Sequence, residues 1–261
     1  MLHPEITADE TRAMHSVEGR VVIVTGSGQG VGRGMAHHLA KAGAAVVVAD
    51  YQPDKARRTC DELTSLGAPN LEVEVDIRDA ASVDAMVART VAELGQVDAI
   101  INNAQTFRAN APVAEVQADD FDVFYRSGVL GTLRAMQAVY PHMQAAGWGR
   151  IVNFASSMGR VGGAGFAAYN ASKEAIRAVT RTAAREWAAD GIVVNAIAPA
   201  AAPPRAVGSE HYDEFMRNCP MGRNGDPELD IGPVALFLCS DACRFLTGQT
   251  FMVDGGTFLW S

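Results

Sequence analysis

Seven short apolar runs alternate with longer stretches of helical spacing, and this alternation constrains the fold more than any other feature of the chain. The runs are rich in Val, Ile and Ala and mostly apolar throughout, which is typical of strands buried on both faces. The pattern predicts an α/β fold: a doubly wound, mostly parallel seven-stranded sheet with helices on both faces. The predicted strands are 20–25, 45–50, 71–75, 97–101, 150–155, 192–196 and 249–253. The predicted helices are 31–42, 53–66, 80–94, 119–146, 166–190 and 228–239.

The domain organisation follows from the same pattern. The chain contains no internal repeat and no low-complexity linker, so we predict one domain over 19–261, preceded by an irregular arm over 1–18. The longest stretch without a predicted element covers about 199–227. Because a loop of that length in a compact domain is usually functional, we expect it to close over a substrate.

Charge and composition exclude several classes of partner. The formal net charge is −8, whereas binding a nucleic-acid backbone needs a basic face. No apolar run approaches the roughly 18 residues that a membrane helix needs, and the acidic N-terminus lacks the layout of a signal peptide, so we expect a cytoplasmic protein. The four cysteines form no CxxC pair, and we expect reduced thiols and no metal site.

A glycine-rich segment follows the first predicted strand. Residues 25–32 read TGSGQGVG, and a helix is predicted to begin within this segment. Glycines let the backbone turn sharply beside a pyrophosphate, and the helix N-terminus offers free N–H groups to its oxygens. The spacing is TGxxxGxG rather than GxGxxG, and a plain tight turn is the alternative interpretation. The residues expected to contact a dinucleotide here are Gly26, Ser27, Gln29, Gly30, Val31 and Gly32.

An acidic residue ends the second predicted strand. At that position the carboxylate of Asp50 can accept hydrogen bonds from a ribose 2′-OH, and it would repel a 2′-phosphate. No Lys or Arg precedes Arg33 in the glycine segment, so we expect NAD rather than NADP. The alternative is that Asp50 only caps the next helix.

Two further strand ends carry candidate cofactor contacts. Asp76 and Ile77 follow the third predicted strand and are expected near the adenine, unless Asp76 only caps the helix near Ala80. Asn103 and Ala104 follow the fourth strand, where we expect them to brace the cofactor wall. All these positions fall at the carboxyl edge of the predicted sheet, where open α/β sheets bind ligands.

A candidate catalytic group lies in the second half of the chain. Tyr169 and Lys173 are four residues apart on a predicted helix and share one face, and Ser156 follows the fifth predicted strand at the same sheet edge. A tyrosine can act as a base only if its pKa falls well below about 10, and an ammonium at ~5 Å contributes about 3 kcal/mol, or roughly two pKa units. We expect Ser156 to hold the substrate oxygen. The alternative is an exposed helix face with no catalytic role.

Taken together, these motifs resemble those of the classical short-chain dehydrogenases/reductases over about residues 19–258. The resemblance implies a Rossmann-type fold, NAD(P)-linked interconversion of alcohols and ketones, and commonly a homotetramer, with a homodimer as the alternative. It also implies that Tyr169, Lys173 and Pro199 contact the cofactor. The matching segments are the glycine-rich turn, Asp50, the NNA at 102–104, Ser156, the YNASK at 169–173, the VNAIAP at 194–199 and the FLTGQTFMVDGG at 245–256.

The sequence departs from the family pattern at four places, one of which is the absence from residues 200–204 of the threonine that often follows near the cofactor amide. Gln105 replaces the glycine of the usual NNAG, and Ala200 replaces the glycine that usually follows Pro199. Gly128 stands where the family often has an asparagine that anchors a proton-relay water. Since glycine has no side chain, we expect a different relay, with Ser127 or a water held by the backbone as candidates.

The substrate is expected between the catalytic group and the 199–227 loop. We predict an apolar, bulky secondary alcohol or ketone, steroid-like or alicyclic; the alternative substrate is a 3-oxoacyl or 3-hydroxyacyl thioester. A nucleotide-binding sensor or scaffold with little catalysis is the alternative of another class, and epimerisation or dehydration with retained cofactor is a third. The side chains expected to face the substrate are Phe107, Ser157, Met158, Tyr212 and Phe215.

Overall fold

A seven-stranded parallel sheet forms the centre of the protein, as the sequence predicts. The computed structural model describes residues 6–108, 111–201 and 219–258. The strand order is β3-β2-β1-β4-β5-β6-β7, and each neighbouring pair is parallel. Because the order reverses between β1 and β4, a crevice opens at the carboxyl ends of these two strands. The strands are β1 (Val21–Thr25), β2 (Ala45–Asp50), β3 (Asn70–Glu74), β4 (Ala99–Asn102), β5 (Gly149–Phe154), β6 (Ile192–Pro199) and β7 (Thr250–Val253).

Helices cover both faces of the sheet and bury alternate residues of each strand. Val22 and Val24 of β1 point into one core, which α2, α3 and α9 complete, while Val21 and Ile23 point into the other, under α4, α6 and α8. Burial on both faces explains why these strands are apolar throughout. The helices are α1 (Ala8–Met14), α2 (Gly30–Lys41), α3 (Pro53–Ser65), α4 (Ala80–Leu94), α5 (Ala118–Phe124), α6 (Gly131–Ala146), α7 (Ser157–Val161), α8 (Ala167–Trp187) and α9 (Gly232–Cys239).

Buried amides connect the middle of the sheet to α8. The side chain of Asn102 on β4 donates to Asn153 on β5 over 2.9 Å, and Asn153 donates in turn to the hydroxyl of Thr180 over 2.9 Å. All three side chains are buried, so each hydrogen bond forms away from competing water. The network holds α8 in register with the carboxyl ends of β4 and β5.

The structure corrects several sequence-based boundaries. The arm predicted to be irregular contains α1, which begins with a capping box between Thr7 and Glu10. The long helix predicted over 119–146 is interrupted by a π-helical segment, Tyr125–Leu130, and a second π-helical segment, Pro227–Ile231, precedes α9. Helix α7 was not predicted, because a five-residue helix has too short an apolar pattern to recognise.

Two searches of the described residues bear on the predicted partners. None of the helices that the structure describes is both long and apolar enough to cross a membrane. Within the same residues, no group of three or more His, Cys, Asp or Glu side chains is placed to hold a metal ion.

Candidate active site

The glycine-rich turn between β1 and α2 has a shape that only glycine permits at key positions. Gly26 and Gly30 have positive φ angles of 67° and 56°. A Cβ on Gly32 would lie 2.3 Å from the carbonyl oxygen of Gly26. Gln29 precedes α2 and makes no side-chain cap, so the first N–H groups of the helix stay free of side-chain acceptors. Such a turn leaves a positively polarised helix end that suits the phosphates of a dinucleotide.

Two other residues of the turn have structural partners. The buried hydroxyl of Ser27 donates to the carbonyl oxygen of Val24 over 2.6 Å, which stabilises the turn. The side chain of Val31 packs against the core formed by α2, α3 and α9. Both residues therefore shape the predicted phosphate site from behind, and their contribution to a ligand would come through their backbone.

Asp50 at the end of β2 reaches across to the glycine-rich turn. Its carboxylate accepts hydrogen bonds from the N–H groups of Gly28 and Gln52, each over 2.9 Å. The contact with Gly28 crosses from β2 to the turn after β1, so the alternative that Asp50 only caps the next helix is wrong. The carboxylate is buried and keeps lone pairs for a further donor.

A lysine that the sequence analysis did not single out also contacts the turn. The ammonium of Lys55, in the first turn of α3, donates to the side-chain oxygen of Gln29 over 2.6 Å. Arg33 instead forms an ion pair of 2.7 Å with Glu62. The rim of the turn therefore carries one cation close to Asp50, although the glycine segment itself contains none.

Asp76 and Ile77 lie beyond the end of β3. The guanidinium of Arg78 pairs with Asp76 over 2.7 Å and holds the pKa of that carboxyl below its usual value. Asp79, not Asp76, caps α4, so the alternative of a capping role for Asp76 is wrong. The carbonyl of Ile77 would lie 3.1 Å from a Cβ on Gly131, which shows how closely this segment packs on α6.

Asn103 and Ala104 fix the end of β4 against the glycine-rich turn. The Asn103 side chain donates to the carbonyl oxygens of Thr25 over 2.9 Å and Gly26 over 3.1 Å. The backbone N–H groups of both residues donate to the hydroxyl of Thr25, each over 3.1 Å. These bonds close one wall of the crevice at the point where the strand order reverses.

Lys173 is the most deeply buried cationic group at this edge of the sheet. Its ammonium donates to the carbonyl oxygen of Phe154 at the end of β5, over 2.7 Å. Burial lowers the pKa of Lys173 to about 7, because the charged form loses its hydration. The Nζ atom lies 5.6 Å from the centre of the Tyr169 ring. The structure thus brings these two side chains together, as their four-residue spacing predicts.

Three aromatic rings surround the ring of Tyr169. Phe107, Phe124 and Phe166 contact it edge to face, with centroid distances of 6.1, 5.7 and 6.2 Å. Tyr169 is partly exposed, so it lies between this aromatic cluster and solvent. The Phe107 side chain, expected near the substrate, therefore lies beside the expected catalytic base.

Ser156 is the N-cap of α7, which packs against α8. Its hydroxyl oxygen accepts a hydrogen bond from the N–H of Met158 over 3.2 Å, so the hydroxyl proton remains free to be donated. Ser157 is buried, whereas Met158 is partly exposed and packs over Gly163. The other expected substrate contacts, Tyr212 and Phe215, lie outside the described residues.

Pro199 ends β6 on the same edge of the sheet. The next residue, Ala200, donates its N–H to the carbonyl of Val253 over 2.9 Å and accepts from the N–H of Gly225 over 3.1 Å. Both backbone groups of Ala200 are therefore used within the protein. Pro199 itself is partly exposed.

Burial of Lys173 predicts how stability depends on pH. Its folded-state pKa of about 7 lies below the value of about 10.4 expected in an unfolded chain. Between these values the unfolded chain binds a proton that the folded chain does not, so the free energy of unfolding increases as the pH rises. We expect the melting temperature of the cofactor-free protein to rise from about pH 7 to about pH 9 relative to Lys173→Met.

A matched control for this measurement is Lys41→Met, which removes an exposed lysine that pairs with Glu228. Its difference from the wild type should not grow over the same pH interval, because the Lys41 side chain is exposed and is not removed from water on folding. A difference between the wild type and Lys173→Met that stays constant with pH would contradict the burial of an uncompensated ammonium.

Comparisons with known proteins agree with this geometry. Residues 26–257 match a family model described as enoyl-(acyl carrier protein) reductase. The chain is 36% identical over 251 residues to a 12α-hydroxysteroid dehydrogenase of Clostridium sp., with 92% of this chain and 96% of that protein covered. A solved gluconate 5-dehydrogenase from Burkholderia cenocepacia, in complex with NADP and tartrate, has a TM-score of 0.88 at 32% identity and covers 95% of this chain and 98% of its own.

A second solved structure is a 7α-hydroxysteroid dehydrogenase complexed with NADH and 7-oxo glycochenodeoxycholic acid. It has a TM-score of 0.88 at 31% identity, with 94% of this chain and 96% of that chain covered. The family match and these relatives extend over nearly the whole chain, including the glycine-rich turn and the Tyr/Lys face of α8. The chain therefore belongs to the short-chain dehydrogenase/reductase family.

Proposed function

We propose that this oxidoreductase uses NAD to interconvert a secondary alcohol and a ketone on an apolar, alicyclic substrate, with Tyr169 as the base. Membership of the family gives the reaction class, a dehydrogenase or reductase acting on CH–OH groups with a nicotinamide cofactor. The observation that carries the proposal is the buried ammonium of Lys173, 5.6 Å from the centre of the Tyr169 ring at the ligand-binding edge of the sheet.

The crevice fits a dinucleotide. The glycines at 26 and 32 let the turn pack closely against itself and Asn103, below the free N–H groups at the start of α2 that would bind a pyrophosphate. Asp50 offers acceptors for ribose hydroxyls. Asn103 and Pro199 lie at the carboxyl ends of β4 and β6, on the same edge of the sheet. When bound, the oxidised nicotinamide supplies the hydride acceptor.

The chain's own residues handle the proton. The hydroxyl of Ser156 donates a hydrogen bond to the substrate oxygen and holds it beside Tyr169. The ionised phenol takes the proton of the alcohol O–H, while the electron pair of the C–H bond leaves with its hydrogen as hydride, and the carbon becomes a ketone. Lys173 keeps the phenol acidic, since an ammonium at ~5 Å contributes about 3 kcal/mol at an effective dielectric of 20.

Burial disfavours the charged form of Lys173, and a ligand that accepts a hydrogen bond from the ammonium would offset this effect. In the cofactor-free protein the pKa of about 7 leaves this lysine partly neutral at neutral pH. Hydrogen bonds accepted from the ammonium favour its charged form, and Phe154 provides one of them. A bound dinucleotide that accepts another would restore the charge, so cofactor binding and activation of Tyr169 would be coupled.

Aromatic surroundings support an apolar substrate. Phe107 and Phe166 are partly exposed beside Tyr169, and rings of this kind favour a rigid apolar molecule over a polyol. Two of the similar proteins are hydroxysteroid dehydrogenases. Arg108 pairs with Asp120 over 3.3 Å, which leaves it poorly placed to meet an anionic thioester carrier.

Asp50 supports NAD over NADP. A 2′-phosphate at this position would meet a buried carboxylate that already orients the glycine-rich turn. Lys55 lies on the same rim and favours a phosphate, but its ammonium is exposed and bonded to Gln29. The repulsion at the buried carboxylate should outweigh the screened attraction of the exposed lysine.

Assembly into two or four copies stays a prediction from family likeness. Phe121, Tyr125 and Leu130 expose 36%, 37% and 38% of their surface on one side of α5 and the π-helical segment. Large exposed apolar side chains that lie together are typical of a contact surface and so support the prediction.

The base assignment predicts the behaviour of Tyr169→Phe. This variant should lose at least about 100-fold in kcat, because it removes the group that accepts the proton. NAD affinity, measured by quenching of protein fluorescence, should change little. The assay follows reduced cofactor with a panel of secondary alcohols that includes hydroxysteroids. Tyr140→Phe is the matched control, since Tyr140 lies on α6 and donates to Asp190, which follows α8 just before β6 begins, at the opposite edge of the sheet.

Each result of this assay has a definite meaning. Retained turnover in Tyr169→Phe would refute the assignment of the base. A wild-type protein that binds NAD but oxidises no alcohol of the panel would instead favour the sensor or scaffold alternative.

The cofactor preference predicts the behaviour of Asp50→Ala. Removing the carboxylate should shift the ratio of the NADP and NAD dissociation constants by at least about tenfold toward NADP, a change of about 1.4 kcal/mol. Asp54→Ala is the control, because it removes an exposed carboxylate from the first turn of α3. A wild-type protein that binds NADP more tightly than NAD would contradict this interpretation of Asp50.

A further inference from the structure

Gln105, in the loop after β4, places its amide in the space beside Gly128. A Cβ on Gly128 would lie 2.4 Å from the Nε2 atom of Gln105 and 3.0 Å from its Cδ atom. Any side chain at position 128 would therefore displace the glutamine amide. The missing side chain at 128 and the additional one at 105 are two parts of one arrangement.

Hydrogen bonds fix which way this amide faces. Its nitrogen lies 3.1 Å from the hydroxyl of Ser172 and 3.5 Å from the carbonyl oxygen of Phe124. The Ser172 hydroxyl gives its only proton to the carbonyl of Tyr169 over 2.7 Å, so towards Gln105 it can only accept. Both neighbours are thus acceptors, and the nitrogen must face them.

The amide oxygen of Gln105 is left with nothing to accept from. This Oε1 atom is buried and receives no hydrogen bond from any residue that the structure describes. A buried carbonyl oxygen without a donor is costly, so such groups in proteins are usually paired with an ordered water. A water there would donate one proton to Oε1 and accept from another donor.

Lys173 has N–H donors from which a water could accept a hydrogen bond. It follows Ser172 in α8, its ammonium is buried, and of its three N–H bonds the structure pairs one, with Phe154. Ser127, the other candidate from the sequence, is already used: its hydroxyl donates to Val123 over 2.7 Å and accepts from Thr106 over 3.1 Å.

We propose that Gln105 is the positioning residue of the proton relay: its Oε1 holds a buried water beside Lys173, in place of a side chain at position 128. The inference rests on the proposed function. The proton that Tyr169 takes from the alcohol passes along hydrogen bonds past Lys173 to this water and then to solvent. The water releases a proton as it gains one, so it is regenerated in each turnover.

The principal test is Gln105→Leu, which keeps most of the volume and removes the amide. We expect kcat to fall by about 10-fold to 100-fold, as for loss of a proton-transfer step, while KM and NAD affinity stay within about twofold. Because proton release then limits turnover, kcat of the variant should rise with the concentration of a small buffer such as imidazole, and that of the wild type should not. Gln249→Leu, which changes an exposed glutamine, is the control.

A second pair of variants moves the amide group from position 105 to position 128. Gln105→Gly should show the same loss and the same buffer dependence as Gln105→Leu. Adding Gly128→Asn to Gln105→Gly supplies an amide from the helix side and should restore kcat to within about threefold of the wild type, with no buffer dependence. This pair also decides the matter if Gln105→Leu does not fold.

Two results would overturn the inference. One is wild-type kcat in Gln105→Leu. The other is a loss of kcat that neither buffer nor Gly128→Asn relieves, which would assign Gln105 to packing alone. Tyr169→Phe in the same assay keeps the two proposals separate: its inactivity supports the base, whatever the Gln105 variants do, and its activity refutes the base without reference to them.

Discussion

The hydrogen bond from the Lys173 ammonium to the carbonyl oxygen of Phe154 is the interaction on which the site depends. It fastens the Tyr/Lys face of α8 to the end of β5, and so places Tyr169 at the edge of the sheet where ligands bind. Burying a cation at this position is unfavourable because the charge loses its hydration, and the lowered pKa of Lys173 reflects this loss. In the proposed mechanism, cofactor binding and proton transfer both act on this one group.

The parallel sheet explains why two distant halves of the chain form one site. All strands end at the same edge, so the glycine-rich turn after β1 and the residues after β4, β5 and β6 meet there. The contacts of Asn103 with the turn and of Asp50 with Gly28 show that side chains brace the proposed cofactor site within the protein itself. Such preorganisation lowers the free-energy cost of binding.

Features that repeat along the chain were predictable, and features that depend on tertiary contact were not. Buried strands and amphipathic helices have periodic sequences, so the seven strands were found with shifts of a few residues at most. The contact of Lys55 with the glycine-rich turn was not predicted, because it depends on how α3 packs beside the turn. The exchange between Gln105 and Gly128 appeared as two unrelated departures until the structure placed one beside the other. The capping box at Thr7 was readable from the sequence but was missed.

Ionisation of Tyr169 in the presence of NAD tests the central claim most directly. The protein contains five tyrosines, so carbon-13 labelling at Cζ gives a spectrum that can be assigned with Tyr169→Phe. With NAD bound, the account predicts that Tyr169 titrates well below the ordinary pKa of about 10, and that Lys173→Met returns its pKa to that value or above. A Tyr169 resonance that titrates at about 10 or higher in the NAD complex of the wild type would contradict the account.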